Sequence, residues 1–267
     1  RPLKFHPILK QTLWGGERII PYKELASGLS RVGESWELSG MPGSESVVAE
    51  GPWAGSTLSE LIGRFGAELL GKANYARFGQ EFPLLVKFID AREDLSIQVH
   101  PDDELARKRH GKSGKCEMWY VLEAEPGASL LTGFSRPIAP AEYERRVADN
   151  TLTDVLNRQA IASGDVFYLP AGRVHSIGKG SFIVEIQQSS DITYRIYDFD
   201  RRDAAGNSRE LHTELAREAI DFESSENSRI TYAPENNQEV RLVTTPYFTT
   251  SLYTLTARTP VSYTHLT

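Results

Sequence analysis

Residues 96 to 119, SIQVHPDDELARKRHGKSGKCEMW, constrain the fold more than any other stretch. The segment opens and closes as alternating strand, with a short polar, helix-like piece between. On the first strand Ser96, Gln98 and His100 share one parity, and on the second Lys115, Glu117 and Trp119 do the same. Side chains alternate across a strand, so each trio projects from a single face. Burying that many polar and titratable groups is costly unless they satisfy one another or a common ion.

A Gln, a His and a Glu converging from two strands could hold a divalent metal. Gln98 and His100 stand two residues apart, so one ion can touch both. A further ligand is supplied by His175, inside GDVFYLPAGRVH. There Gly164 turns into a strand, Pro170 ends it, and Gly172 supplies the bend that turns His175 back inward. Two His, one Glu and one Gln form a mixed nitrogen and oxygen set, which Zn2+, Fe2+, Mn2+ and Co2+ all tolerate. An open coordination position would make such a site catalytic. The competing reading is a buried polar network without metal.

Composition narrows the class of partner. The net charge is −6 over 267 residues, which argues against nucleic acid or an anionic membrane as partner, since both reward a basic face. Cys116 is the single cysteine, so an intramolecular disulfide is excluded. No apolar run reaches the ~18 residues of a membrane span, and no signal peptide is visible. The expectation is a cytoplasmic protein. The first residue is Arg1 rather than Met, so a few starting residues are expected to be missing; the chain ends on the strand-like RTPVSYTHLT without a closing element, so a truncated C-terminus is expected as well.

Along the chain, short strands recur at close spacing, broken by Gly and Pro, which predicts a mainly β barrel or sandwich. LKFHPILKQTLW reads as extended up to Gly15-Gly16, and GESWELSG as an alternating strand. Residues 56 to 79 read as helical: Thr57 and Glu60 make a capping box, followed by apolar residues at helical spacing. PLLVKFIDA reads as a buried strand with one polar intruder, Lys87. Asp102-Asp103 can cap a short helix running through about His110. Residues 139 to 158 and 210 to 222 read as further helical segments. GDVFYLPAG, SFIVEIQQSS, ITYRIYDFD and most of the chain beyond 229 read as strands. A soft boundary near residue 225 divides a catalytic region, 1–225, from the start of a smaller C-terminal β region, 226–267.

The Gly164 to His175 pattern resembles the second metal-binding motif of the cupin β-barrels. SIQVHPDD, the downstream KCEMW and the later ITYRIYDFDR together resemble the type I mannose-6-phosphate isomerases, and PLLVKFIDA, GESWELS and LKQTLWGG fit the short bacterial members. The resemblance runs from about residue 3 to 222. It implies a cupin jelly-roll β-barrel with inserted and flanking helices. It implies Zn2+ on Gln98, His100, Glu117 and His175, and interconversion of mannose 6-phosphate and fructose 6-phosphate. It also implies a catalytic role for Arg195, a place in the site for Lys115, and a substrate contact for Ser96.

Elementary chemistry suits those roles. An aldose–ketose isomerase opens the sugar ring and moves a proton between C1 and C2 through a cis-enediol. A divalent metal and a fixed cation such as Arg195 both stabilise the charge that develops on oxygen. Lys115 is a candidate base or a phosphate contact. No glycine-rich phosphate loop is present, so Lys87, Ser96, Lys115 and Arg173 are the candidates for the phosphate. For Lys87 the alternative is an edge residue whose stem packs while its head stays wet. Glu185 and Gln187 share a polar face of SFIVEIQQ, either lining a cavity or solvated. His6, His110, His212 and His265 lack neighbours at ligand spacing. Two other functions stay open: a cupin metal-dependent oxygenase, and a non-catalytic sugar-binding cupin. The expected partner is a phosphorylated hexose, and the expected state is a monomer or weak homodimer.

Overall fold

The computed structural model describes residues 2–223 and 227–256. In chain order the elements are β1 (Ile8–Gly16), α1 (Ile19–Tyr22), β2 (Val32–Ser39), α2 (Leu58–Phe65), α3 (Ala67–Leu70), α4 (Lys72–Phe78), β3 (Leu84–Asp90), β4 (Ile97–Val99), α5 (Asp103–His110), β5 (Glu117–Ala124) and β6 (Ser129–Phe134). There follow α6 (Pro140–Ala148), a 3-10 turn (Leu152–Val155), β7 (Leu156–Ala160), β8 (Val166–Leu169), β9 (His175–Ile177), β10 (Ser181–Gln188), β11 (Tyr194–Tyr197), α7 (Thr213–Ala219), β12 (Arg229–Ile230), β13 (Glu239–Thr244) and β14 (Thr249–Tyr253).

Two antiparallel sheets carry the fold. One has seven strands in the order β1-β2-β3-β10-β5-β8-β12, and the other five in the order β11-β4-β9-β6-β7. Their inner faces share a core. Trp14, Ile89, Trp119, Phe167 and Ile183 from the first sheet pack with Leu130 and Ile177 from the second. Side chains from two sheets filling one apolar layer is the arrangement of a β-sandwich or jelly roll. The expected mainly β class with inserted helices is what the chain adopts.

Register then decides what meets what. In the first sheet Lys87 pairs with Glu185, and Glu185 with Trp119, while Gln187 pairs with Glu117. In the second sheet Arg195 pairs with Gln98, and Gln98 with His175. A one-residue slip in either sheet would turn these groups to the opposite face.

The helical region before the core starts as expected. The Thr57 hydroxyl accepts from Glu60 N at 3.1 Å and the Glu60 carboxylate accepts from Thr57 N at 2.8 Å. The span 56 to 79 is nevertheless three helices rather than one. Gly66 and Gly71, with φ of +50° and +80°, break it into α2, α3 and α4. Residues 139 to 158 are helical only in part: β7 takes over from Leu156, because pairing with β6 outweighs local propensity. The last predicted helix is shorter as well. Residues 210 to 212 stay outside α7 and run beside Arg195.

At the C-terminal end β12 joins the first sheet beside β8. The β13–β14 hairpin packs Leu242, Val243 and Phe248 against Cys116, Met118 and Val166. The boundary expected near residue 225 and the strand-like pattern after residue 256 lie outside the described residues.

Candidate active site and metal centre

Three of the expected ligands come together. His100, Glu117 and His175 are 2%, 1% and 2% exposed, and their ligand atoms lie within 4.8 Å of one another. His100 Nε2 is 3.5 Å from Glu117 Oε2, and His175 Nε2 is 3.3 Å from Glu117 Oε1. Each imidazole is held by its other nitrogen: Nδ1 of His100 donates to the Ile192 carbonyl and Nδ1 of His175 to the Arg173 carbonyl, both at 2.8 Å. A donating Nδ1 fixes the tautomer and leaves Nε2 with its lone pair directed into the cluster, the arrangement metal-binding histidines use.

The electrostatics keep both rings neutral. Burial, then the charge of Lys115 and the neighbouring His175, press the pKa of His100 well below the ordinary imidazole value. Burial also lowers that of His175, with Glu117 and the Arg173 carbonyl pulling the other way. A metal ligand must be unprotonated, so this is the required state. Glu117 supplies the strongest indication. Both of its carboxylate oxygens are buried without a well-formed hydrogen bond, although Lys115 Nζ lies 2.9 Å from Oε2. A buried carboxylate so poorly served is costly, and a cation between the three residues would satisfy it. The donor set therefore fits a metal ion, and the three residues could hold one.

Gln98 adjoins the cluster, its Nε2 donating to His175 Nε2 at 3.3 Å and its Oε1 accepting from the Ser96 hydroxyl at 3.3 Å. A half-turn of the amide exchanges its nitrogen and oxygen at little cost, which brings an oxygen to the same place.

Beside the cluster lies a cavity of about 160 Å³. His100, Glu117 and His175 are not in its lining; Gln98 and Lys115, which touch the cluster, are, together with Ser96, Lys87, Glu185, Arg195, Arg209, Glu34 and Thr193. Lys115 Nζ is 3.0 Å from His100 Nε2, so this ammonium spans cluster and cavity. Lys87 reaches Glu185 Oε1 at 2.9 Å and Glu34 Oε1 at 3.7 Å. The wet-headed reading of Lys87 does not hold, because its head is buried among carboxylates. Burial opposes its charge, but Glu185 and Glu34 outweigh that and raise its pKa. Burial likewise works to raise the pKa of Glu185, and the charges of Lys87 and Lys115 overcome it, so the carboxyl is held below its ordinary value. Trp119 Nε1 donates to Glu185 Oε2 at 2.8 Å and its ring meets His175 edge-on at 5.5 Å.

Arg195 enters from the edge strand β11. Its Nη1 donates to the Glu210 carbonyl at 2.9 Å, while its buried Nε finds no acceptor among the described residues. Arg209 stands at the rim, paired through two nitrogens with Asp198 at 2.7 and 2.5 Å.

Arg173 is not brought to this cavity. Its side chain lies against Gly133 and reaches the Ser228 hydroxyl at 3.3 Å. Arg173 precedes β9, which begins only at His175, so strand alternation does not aim it: in the loop after the Gly172 bend it offers its carbonyl to the His175 ring while its side chain turns toward Gly133 and Ser228. Gln187 is fully buried rather than solvated, its amide donating to the carbonyls of Gln188 and Ser190. Cys116 packs under the C-terminal hairpin, and burial pushes its thiol up to about 12.

Sequence reasoning gave no site role to Glu34 and Arg209; it offered Glu185 as part of a face either lining a cavity or solvated, without its pairing to Lys87. The signal for Glu185 was present. It is the lone charge in the apolar run SFIVEI, as Lys87 is in PLLVKFI, and two such opposite charges invite pairing.

Known proteins are similar to the chain in sequence and fold. A family model described as phosphomannose isomerase type I, catalytic domain, matches residues 3–133. The mannose-6-phosphate isomerase ManA of Bacillus subtilis is 39% identical over 224 residues, covering 84% of this chain and 69% of the relative. The mannose-6-phosphate isomerase of Streptococcus mutans is 37% identical over 251 residues, covering 93% and 77%. The crystal structure of the mannose 6-phosphate isomerase from Bacillus subtilis superposes with a TM-score of 0.84 at 33% identity, covering 93% of this chain and 78% of that one. The chain belongs to the type I mannose-6-phosphate isomerase family.

Proposed function

We propose that the protein interconverts mannose 6-phosphate and fructose 6-phosphate, using a divalent metal, Zn2+, held by Gln98, His100, Glu117 and His175. The observation that carries this reading is Lys115, whose Nζ lies against both His100 and Glu117 and also lines the cavity. A proton-transfer group set between a metal-competent cluster and a small polar chamber is what an aldose–ketose isomerase needs. When bound, the metal would supply Lewis-acid stabilisation of charge on the substrate oxygens.

The remaining work falls to the chain. The open-chain sugar loses a proton from C2 and gains one at C1, while a hydroxyl proton passes from O2 to O1. The reaction therefore balances without an added oxidant or reductant. Lys115, acting as the neutral amine, is the group we assign to take the proton from C2 and return it at C1. Lys87 and Glu185 form a fixed dipole beside it, and Trp119 anchors the carboxylate. Arg195, with its free Nε, stabilises the enediol oxygens. Ser96 offers a hydroxyl to the substrate. The rim residue Arg209, which lines the cavity, is better placed for the phosphate than Arg173, which does not. Lys87 and Lys115 serve the inner end, where carboxylates gather.

A cytoplasmic location and a monomeric or weakly dimeric state are part of the same proposal; among the described residues no helix is long and apolar enough to cross a membrane. The test is a coupled assay for fructose 6-phosphate after chelation and Zn2+ add-back. Turnover of mannose 6-phosphate by the loaded protein is expected, and its absence overturns the assignment. Oxygen consumption in its place would favour an oxygenase.

A further inference from the structure

Strand β11 is the edge of the five-stranded sheet. An edge strand leaves alternate N–H and C=O groups without a ladder partner. At Arg195 both such groups are taken up by one residue, His212. The Arg195 N–H donates to His212 Nδ1 at 3.2 Å, and the His212 N–H donates to the Arg195 carbonyl at 2.6 Å. A third bond runs from Arg195 Nη1 to the Glu210 carbonyl at 2.9 Å. Two residues, Glu210 and His212, thus grip the backbone and the guanidinium of Arg195 through three bonds. The predicted helix 210 to 222 is short at its start because these residues serve Arg195 instead.

A ring nitrogen that accepts from an amide must carry a lone pair. His212 is therefore neutral at Nδ1, with its proton on Nε2, which points toward the Glu210 carboxylate 3.8 Å away. The ring lies 6.4 Å from that of Tyr194, the residue before Arg195. Histidine here does what a neighbouring strand would do, with a side chain in place of one backbone carbonyl. Nothing about its spacing to other ligands signals this role, since its partner is a main-chain group.

We infer that His212 is a positioning residue for the isomerisation: by capping the exposed edge at Arg195, it fixes where the guanidinium stands in the cavity. This rests on the proposed role of Arg195. The side chain is not in the cavity lining and touches no metal-binding residue, so it acts through Arg195 alone.

The test compares His212→Ala and His212→Asn in the full Zn2+-loaded chain. Asparagine places an acceptor oxygen where the Nδ1 stood; alanine places none. Two readouts are taken: kcat and KM for mannose 6-phosphate, and hydrogen exchange at the Arg195 amide. Loss of one acceptor predicts a fall in kcat of roughly three- to tenfold for His212→Ala, with metal content unchanged and faster exchange at Arg195. His212→Asn is expected to restore both. An alanine variant with unaltered kcat and exchange overturns the inference, as does an asparagine variant no better than alanine. A wild-type chain inactive on mannose 6-phosphate would strike the functional assignment, and the exchange comparison would still judge the grip on Arg195.

Discussion

Lys87 and Glu185 face each other across the β3–β10 ladder, with Nζ 2.9 Å from Oε1 and both side chains buried. Neither charge would be tolerated there alone. Glu34 and Lys115 extend the pair into a small network, and Trp119 holds the second oxygen of Glu185. This network, set beside the His100–Glu117–His175 cluster, gives the cavity its character.

Removing one partner should therefore be worse than removing both. Lys87→Met or Glu185→Leu leaves an uncompensated buried charge, at a cost of about 3–5 kcal/mol by urea unfolding. The double variant should recover most of that stability while remaining inactive. A double variant that is active, or single variants as stable as wild type, would show that the pair has neither role.

The two cluster histidines predict a pH dependence of the metal-free protein. Their folded-state pKa values lie below the ordinary one, so the unfolded chain binds more protons once the pH drops under ~6.5. Stability contributed by the neutral rings is complete above that value and declines as the pH falls toward 5. Melting temperatures of chelated protein from pH 8 to 5 check this. A flat profile down to pH 5 would contradict the neutral assignment.

Arg195→Ala should lower kcat by roughly 10²-fold, the scale for loss of a charge-stabilising donor at a reacting oxygen. Metal content should not change, since Arg195 touches the cluster only through its backbone register with Gln98. Metal analysis alongside steady-state kinetics separates the outcomes; a variant that folds but loses its metal would move Arg195 from catalysis to metal binding.

Gly172 has φ of +85°, and an added Cβ would stand 3.0 Å from the Ala219 carbonyl. Gly172→Ala is expected to cost roughly 1–2 kcal/mol for the left-handed backbone alone. Because this bend aims His175, metal affinity should fall by about tenfold as well. Competition with a chromogenic chelator measures it, and unchanged affinity would separate the bend from the site.

How much of this was legible beforehand depends on the kind of signal. Period-two alternation put Gln98, His100 and Glu117 on common faces, and a glycine bend aimed His175; these are local rules, and all four groups meet. Lys87 was conspicuous because a lone lysine in an apolar strand needs a partner, but the partner lay about a hundred residues on, and only the strand order reveals that β10 lies beside β3. Arg173 misled because a residue two before a ligand would share its face on a strand, whereas Arg173 lies in the loop before β9 and its side chain turns toward Gly133 and Ser228. His212 was set aside because its contact is with a backbone group, which no spacing pattern marks. Residues 156 to 158 were expected to be helical, and the ladder with β6 claimed them.

The most direct measurement is turnover of mannose 6-phosphate as a function of bound metal. Full chelation should abolish formation of fructose 6-phosphate. Zn2+ add-back should restore it in proportion to occupancy, saturating near about one ion per chain, as expected for a single site of this donor set. His100→Ala should neither bind the ion nor recover. Metal-free protein that keeps its full rate, or Zn2+-loaded protein that produces no fructose 6-phosphate, would contradict the assignment of this cluster as the centre of the reaction.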